Sequence, residues 1–206
     1  MYFSDEFHFP ITVVANGKKV TRKRGERYRV DKVQRKARTT RQDKKQQKET
    51  GITRSSIHMW VLIHYEERHY LFYTVGNNTG KMTQATYTQQ CLPFALPILR
   101  RYGLTLQEDK DKSHYGKVSQ QYKRDHGIST LLSPTVSPDL SVAETLARPF
   151  GQLYGSRGHY EEKEAREHII EYFYQIKQSD IQKWILGMPN RLQRVRDGGG
   201  EGLPDF

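Results

Sequence analysis

Apolar residues fall in short bursts along this chain, and the spacing within each burst predicts the element it forms. The first stretch, Met1 to Ala15, reads as a hairpin. Tyr2-Phe3-Ser4 runs into Asp5, expected at a strand end, and Ile11-Thr12-Val13-Val14 makes the return. From about Val30 to Ser55 apolar periodicity is lost, so an irregular segment is expected there. The strongest strand signal follows, Ile57 to Tyr65, with a partner in Tyr70 to Val75 across the charged turn Glu66-Glu67-Arg68. Thr83 to Tyr102 predicts a helix bent at Pro93 and Pro97 and closed by Gly103. Leu104 to Gln107 is a short strand delivering Asp109 just past its end, and Ser113 to His126 is a helix closed by Gly127. Ile128 to Leu132 is another strand, and the Pro-rich turn Ser133 to Asp139 leads to Ser141, a residue with N-cap chemistry. Pro149 and Gly151 lie inside the helix that follows, where an interior proline costs about 3 kcal/mol and is expected to kink or break it. Glu164 to Ile176 and Ser179 to Gln193 complete the helices, the second interrupted at Pro189. Strands first, then alternating strands and helices, define an α/β (α+β) domain with a mixed sheet.

Composition narrows the class. At 206 residues, with 35% hydrophobic and 11% aromatic residues, the chain can bury one core of ordinary size. No stretch approaches the length of apolar sequence that spans a membrane, and no charged, then apolar, leader opens the chain. Cys91 is the single cysteine, which excludes an internal disulfide and a Cys-rich zinc module and suits a reducing compartment.

Charge is concentrated in one segment. Residues 18–54 hold 16 of the 34 Lys and Arg against four acids, a net of +12 in a chain whose total is +11. Lys18, Lys19, Arg22, Lys23, Arg24, Arg35, Lys36, Arg38, Arg41, Lys44 and Lys45 are candidate contacts to a phosphate backbone, which binds such an arm through counterion release with little sequence preference. The first five of these also read as a nuclear import signal. A solvated, partly irregular insertion is the plain reading of the same residues, and the two are compatible.

Three acids, Asp5, Asp109 and Glu144, flank apolar segments far apart in sequence. Carboxylates that converge repel one another unless a cation sits among them, so their natural use is to hold divalent metal. Each has a plainer alternative. Asp5 could be a turn acid with Glu6 as rival, and Asp109 one of a solvated trio with Glu108 and Asp111. Ser141-x-x-Glu144 is a capping box, common in helices without an active site. His58 and His64 share one strand face with Trp60 and Leu62 and read as packing or edge residues.

These residues resemble the DDE transposases of the Tc/mariner superfamily, most of all a Tc-one-like branch found in fungi. The resemblance rests on Phe3-Ser4-Asp5-Glu6, on Glu108-Asp109 with His114, and on Ser137-Pro138-Asp139-Leu140 with Glu144, with 34 residues between Asp109 and Glu144. Arg24-Gly25-Glu26-Arg27-Tyr28, Gly80-Lys81-Met82-Thr83 and Met188-Pro189-Asn190-Arg191-Leu192 extend it over most of the chain. The pattern departs at Lys110, where the family usually has Asn, at Lys112, at Ser141-Val142-Ala143 and at Ala147, as in a partly degenerate copy.

The resemblance implies an RNase H-like catalytic domain over residues 1–197, with residues 18–56 as a basic insertion, 198–206 as a flexible tail, and the N-terminal helix-turn-helix region absent. It implies that Asp5, Asp109 and Glu144 bind Mg²⁺ or Mn²⁺ and catalyse cleavage and transfer of DNA strands, in the nucleus, on transposon ends and target DNA, with a homodimer as the working form. The rival expectation is a catalytically dead remnant that only binds DNA. A general RNase H-like nuclease, recognisable by preference for an RNA–DNA hybrid, is a third.

Overall fold

The computed structural model describes residues 1–11, 56–76, 80–133, 140–155 and 161–199. Five strands form one mixed sheet: β1 (Tyr2–Pro10), β2 (Ser56–Ile63), β3 (Arg68–Tyr73), β4 (Thr105–Glu108) and β5 (Ser129–Leu132). Their spatial order is β3-β2-β1-β4-β5, antiparallel from β3 to β1 and parallel from β1 to β5. The mixed sheet expected from the element order is therefore present. β1 is a single long strand paired with β2, so Asp5 sits in mid-strand opposite Val61 and not at a strand end. Of the return strand expected at Ile11 to Val14, only Ile11 is described. Ile11 lies outside any element, and Thr12 to Ser55 fall outside the described residues.

Alternation along β1 separates two cores. Phe3, Phe7 and Phe9 face one side with Ile57, Met59, Val61 and Ile63 of β2. Tyr2 faces the other with Trp60, Leu62 and Leu106. On the first side lie α5 (Val142–Gly155), α6 (Glu162–Gln175), α7 (Gln178–Leu186) and α8 (Met188–Asp197). Phe150 of α5 is the centre of this layer, with ring centroids 5.6 Å from Phe7, 5.0 Å from Phe9 and 6.0 Å from Phe173.

The second side is covered by α1 (Gln84–Thr86), a π-helical turn Tyr87–Cys91, α2 (Leu92–Tyr102), α3 (Lys112–Tyr115) and α4 (Lys117–Asp125). The bend expected near Pro93 takes the form of that π turn. Leu92 donates to the carbonyl of Tyr87, five residues back, just before Pro93, which has no N–H to give. Pro97 lies within α2 without ending it. Gly103 and Gly127 end α2 and the α4 segment at φ of 108° and 69°, values that a side chain would oppose.

Two expected interruptions resolve differently. The helix over Ser113 to His126 is two helices split at Gly116, because Asp111 caps the first by accepting from Ser113 N–H and the Gln84 amide caps the second by accepting from Val118 N–H. At the C-terminus the break falls at Gly187, and Pro189 sits in the first turn of α8, where a missing N–H costs nothing. Pro149 also fails to break α5, which runs unbroken through it and Gly151. Buried Leu146, Phe150 and Tyr154 hold the helix against the sheet on both sides of the proline, and the outward face at Gly151 has open space. Burial of three large side chains, at roughly 1.5–3 kcal/mol each, outweighs the proline cost. No helix among the described residues is long and apolar enough to cross a membrane.

Candidate active site

The parallel register of β1 and β4 aligns Phe3 with Gln107. Continued two residues further, it sets Asp5 beside Asp109, just beyond the end of β4. Asp5 shares the sheet face of Phe3 and Phe7, the face covered by α5, and Glu144 stands in the first turn of that helix. Sequence separation is thus cancelled by strand register and by one helix packed across β1.

Electrostatics registers the convergence. The Asp5 carboxyl is pushed from 3.8 up to about 8, first by burial and then by the charges of Glu6, Glu144 and Asp109. A hydrogen bond from the Glu6 N–H to Asp5 Oδ1, at 2.8 Å, opposes this only in part. Asp109 behaves in the opposite way. His114 holds its carboxyl below the usual carboxylate range, against the effect of burial, with help from the Asp111 N–H at 3.0 Å. The acids thus have different affinities for a proton.

The Glu144 carboxylate is exposed, and Ser141 Oγ accepts from the Glu144 N–H at 3.3 Å. Among the described residues no bond runs back from the carboxylate to the Ser141 N–H, so the capping box is half made and the acid remains available. Arg191 steadies the same helix by donating to Thr145 Oγ1 at 3.0 Å, which gives the Met188-to-Leu192 motif a packing role. Ser137, Pro138 and Asp139 lie outside the described residues, as do the candidate DNA contacts from Lys18 to Lys45.

Carboxylate oxygens are hard donors that suit Mg²⁺ or Mn²⁺, and the repulsion that raises the Asp5 carboxyl is what a cation offsets. The donor chemistry fits such an ion. Among the described residues, however, no three His, Cys, Asp or Glu side chains are gathered into a ready-made ligand cluster. The acids lie within range of each other's charge without sharing one coordination sphere.

Acids next to these candidates in sequence have partners of their own. Glu108 is buried, accepting from the Tyr87 hydroxyl and paired with the equally buried Lys123. Asp111 is the cap of α3. Glu6 faces away from Asp5, as alternation requires, and its Oε1 takes His114 Nε2 at 2.6 Å. Lys110 is exposed and pairs with no described residue. His114 is 1% exposed and bridges Glu6 and Asp109, a role its spacing in the sequence did not disclose. His58 is paired with His8 through Nδ1 atoms 2.8 Å apart, and His64 stacks on Tyr102, so both pack as expected.

The sheet order and its covering helices define an RNase H-like fold. In particular, the chain is similar to the catalytic domain of Mos1 mariner transposase, solved with raltegravir and Mg, with a TM-score of 0.64 and 16% identity over 72% of this chain and 77% of that one. It is also similar to the Mos1 mariner paired-end complex with Mn (TM-score 0.70, 14% identity, 98% of this chain and 56% of that chain). The Mos1 strand transfer complex gives 0.67 and 15% identity, over 98% of this chain and 55% of that one. The chain thus spans little more than half the length of the transposase in those complexes. No family profile and no curated protein matches its sequence.

Proposed function

We propose that this chain is the catalytic domain of a DDE transposase of the Tc/mariner superfamily, in its Tc-one-like, fungal-type branch, and that it cleaves DNA strands and joins them to a target. The supporting observation is the Asp5 carboxyl, raised to about 8 by burial and by the charges of Glu6, Glu144 and Asp109. A fold that keeps these acids close without a cation holds them in an unfavourable arrangement. Asp5, Asp109 and Glu144 would hold Mg²⁺ or Mn²⁺, which when bound in a pair activates the attacking oxygen and stabilises the leaving oxygen of a phosphodiester.

The chain's own residues divide the remaining work. Asp5 carries a proton at neutral pH and releases it to become a donor. Asp109 is already ionised, held by His114. Glu144 brings an exposed carboxylate from α5. The basic residues between 18 and 54 hold phosphate backbone, giving double-stranded DNA as partner and nuclear import as their second use. The Mos1 relatives include paired-end and strand-transfer complexes, and a homodimer acting on transposon ends follows by analogy. Residues 1–197 make up the domain in this reading.

The test is Mn²⁺ titration by calorimetry together with metal-dependent nicking of plasmid DNA. Asp109→Asn is expected to abolish both while leaving salt-sensitive DNA binding nearly intact. A second reading, a remnant that binds DNA without cutting it, has one observation in its favour: the absence of a ready-made ligand cluster among the described residues. A folded wild-type chain that binds DNA, takes up no Mn²⁺ and nicks nothing would establish that reading instead.

A further inference from the structure

We infer that His114 is a positioning residue that fixes the Asp109 carboxylate by tying it to Glu6, so that Glu6 serves the site as an anchor and not as a ligand. This rests on the reading of Asp109 as a metal-holding acid. His114 Nδ1 lies 2.8 Å from Asp109 Oδ1, and Nε2 lies 2.6 Å from Glu6 Oε1. Each ring nitrogen thus meets one oxygen of a different acid, and the ring spans the gap between the two side chains.

The brace joins a loose group to a fixed one. Asp109 stands past the end of β4 with its side chain 60% exposed, whereas those of His114 and Glu6 are 2% and 13% exposed. His114 is itself locked in place. Its ring lies 4.6 Å from that of Tyr87, and its carbonyl accepts from Lys123 Nζ at 3.2 Å. Lys123 and Tyr87 both bind Glu108, the residue before Asp109. The side chains of Asp109 and of Glu108 before it are therefore held separately, the first by His114 of α3 and the second by Lys123 of α4 and Tyr87 of the π turn. With Oδ1 taken by His114 and by the Asp111 N–H, Oδ2 is the oxygen that would be free to face a metal. A carboxylate ordered beforehand spares the entropy of ordering it on binding.

Outer partners of ligating groups commonly change metal affinity by 10–100-fold when removed. The experiment uses the full chain and has a metal-free arm and a metal arm. In the first, long-range ¹H–¹⁵N correlation spectra of histidine-labelled, metal-free protein should show His114 ring signals that move in both Glu6→Gln and Asp109→Asn. Ring signals that stay in place in either variant would overturn the brace. In the second, Mn²⁺ affinity is measured for His114→Ala, Glu6→Gln and the double variant, with circular dichroism confirming the fold. His114→Ala should weaken binding by about 10–100-fold. Glu6→Gln should weaken it less in the wild-type background and not at all once His114 is gone. Unchanged affinity in His114→Ala overturns the positioning role, and a full Glu6→Gln loss in both backgrounds makes Glu6 a ligand. Should His114→Ala not fold, His114→Asn, which can reach Asp109 alone, replaces it with the same criterion. A wild-type chain that binds no Mn²⁺ refutes the metal-holding role of Asp109, and with it this role of His114, even where the spectra show the brace.

Discussion

Replacing Asp5 by Asn should make the metal-free protein more stable while removing its capacity for metal. The two side chains have the same shape, and the Asn oxygen can still accept the Glu6 N–H that Asp5 Oδ1 accepts. What changes is charge. The carboxyl rises from 3.8 to about 8 in the fold, and each tenfold change in proton affinity is worth about 1.4 kcal/mol. Full ionisation would therefore destabilise the fold by about 6 kcal/mol, and at pH 7 uptake of the proton caps the cost at about 4 kcal/mol. Asp5 is only half-buried, so water screens part of this and a gain of about 1–3 kcal/mol at pH 7 is expected. The folded state binds this proton more tightly than the unfolded chain. The penalty is thus absent below pH 3.8, grows as pH rises, and is complete above about pH 8. Urea unfolding of both proteins in EDTA at pH 4, 7 and 8.5 measures it as a difference in which other titrating groups cancel. Adding Mn²⁺ should then stabilise the wild type and leave Asp5→Asn unchanged. An Asn variant equal to or weaker than wild type at pH 8.5 would refute the claim that these acids strain the metal-free site.

Three further outcomes follow from the packing and the charge. Phe150→Ala removes the ring that touches Phe7, Phe9 and Phe173 and should cost about 3–5 kcal/mol in urea unfolding. Lys123→Met leaves the Glu108 carboxylate buried with only Tyr87 and should cost about 3–5 kcal/mol, most of it recovered in Lys123→Met/Glu108→Gln; equal losses in both would contradict the ion-pair account. Changing Lys18, Lys19, Arg22, Lys23 and Arg24 to Gln should lower the slope of log DNA affinity against log salt by up to about four, read by fluorescence anisotropy, and an unchanged slope would exclude these five as phosphate contacts.

The sequence by itself determined the elements wherever the local signal was self-sufficient. Ile57 to Ile63 and Tyr70 to Tyr73 are strands because two apolar and aromatic runs flanking a short charged turn have one use, to pair. Gly103 and Gly127 end their helices because only glycine takes their backbone angles without strain. The candidate acids were legible too, since their motifs and the 34-residue gap are written in the chain. What could not be read locally was anything set by partners distant in sequence. Asp5 lies in mid-strand because β2, more than forty residues on, pairs along the whole of β1. Pro149 stays helical because Phe7, Phe9 and Phe173 reward the helix that contains it. The partners of Glu6, Glu108 and Asp109 were likewise set by tertiary structure. Neighbouring residues on a strand face opposite sides, and only the packed molecule shows that His114 bridges Glu6 and Asp109 while Lys123 and Tyr87 take Glu108.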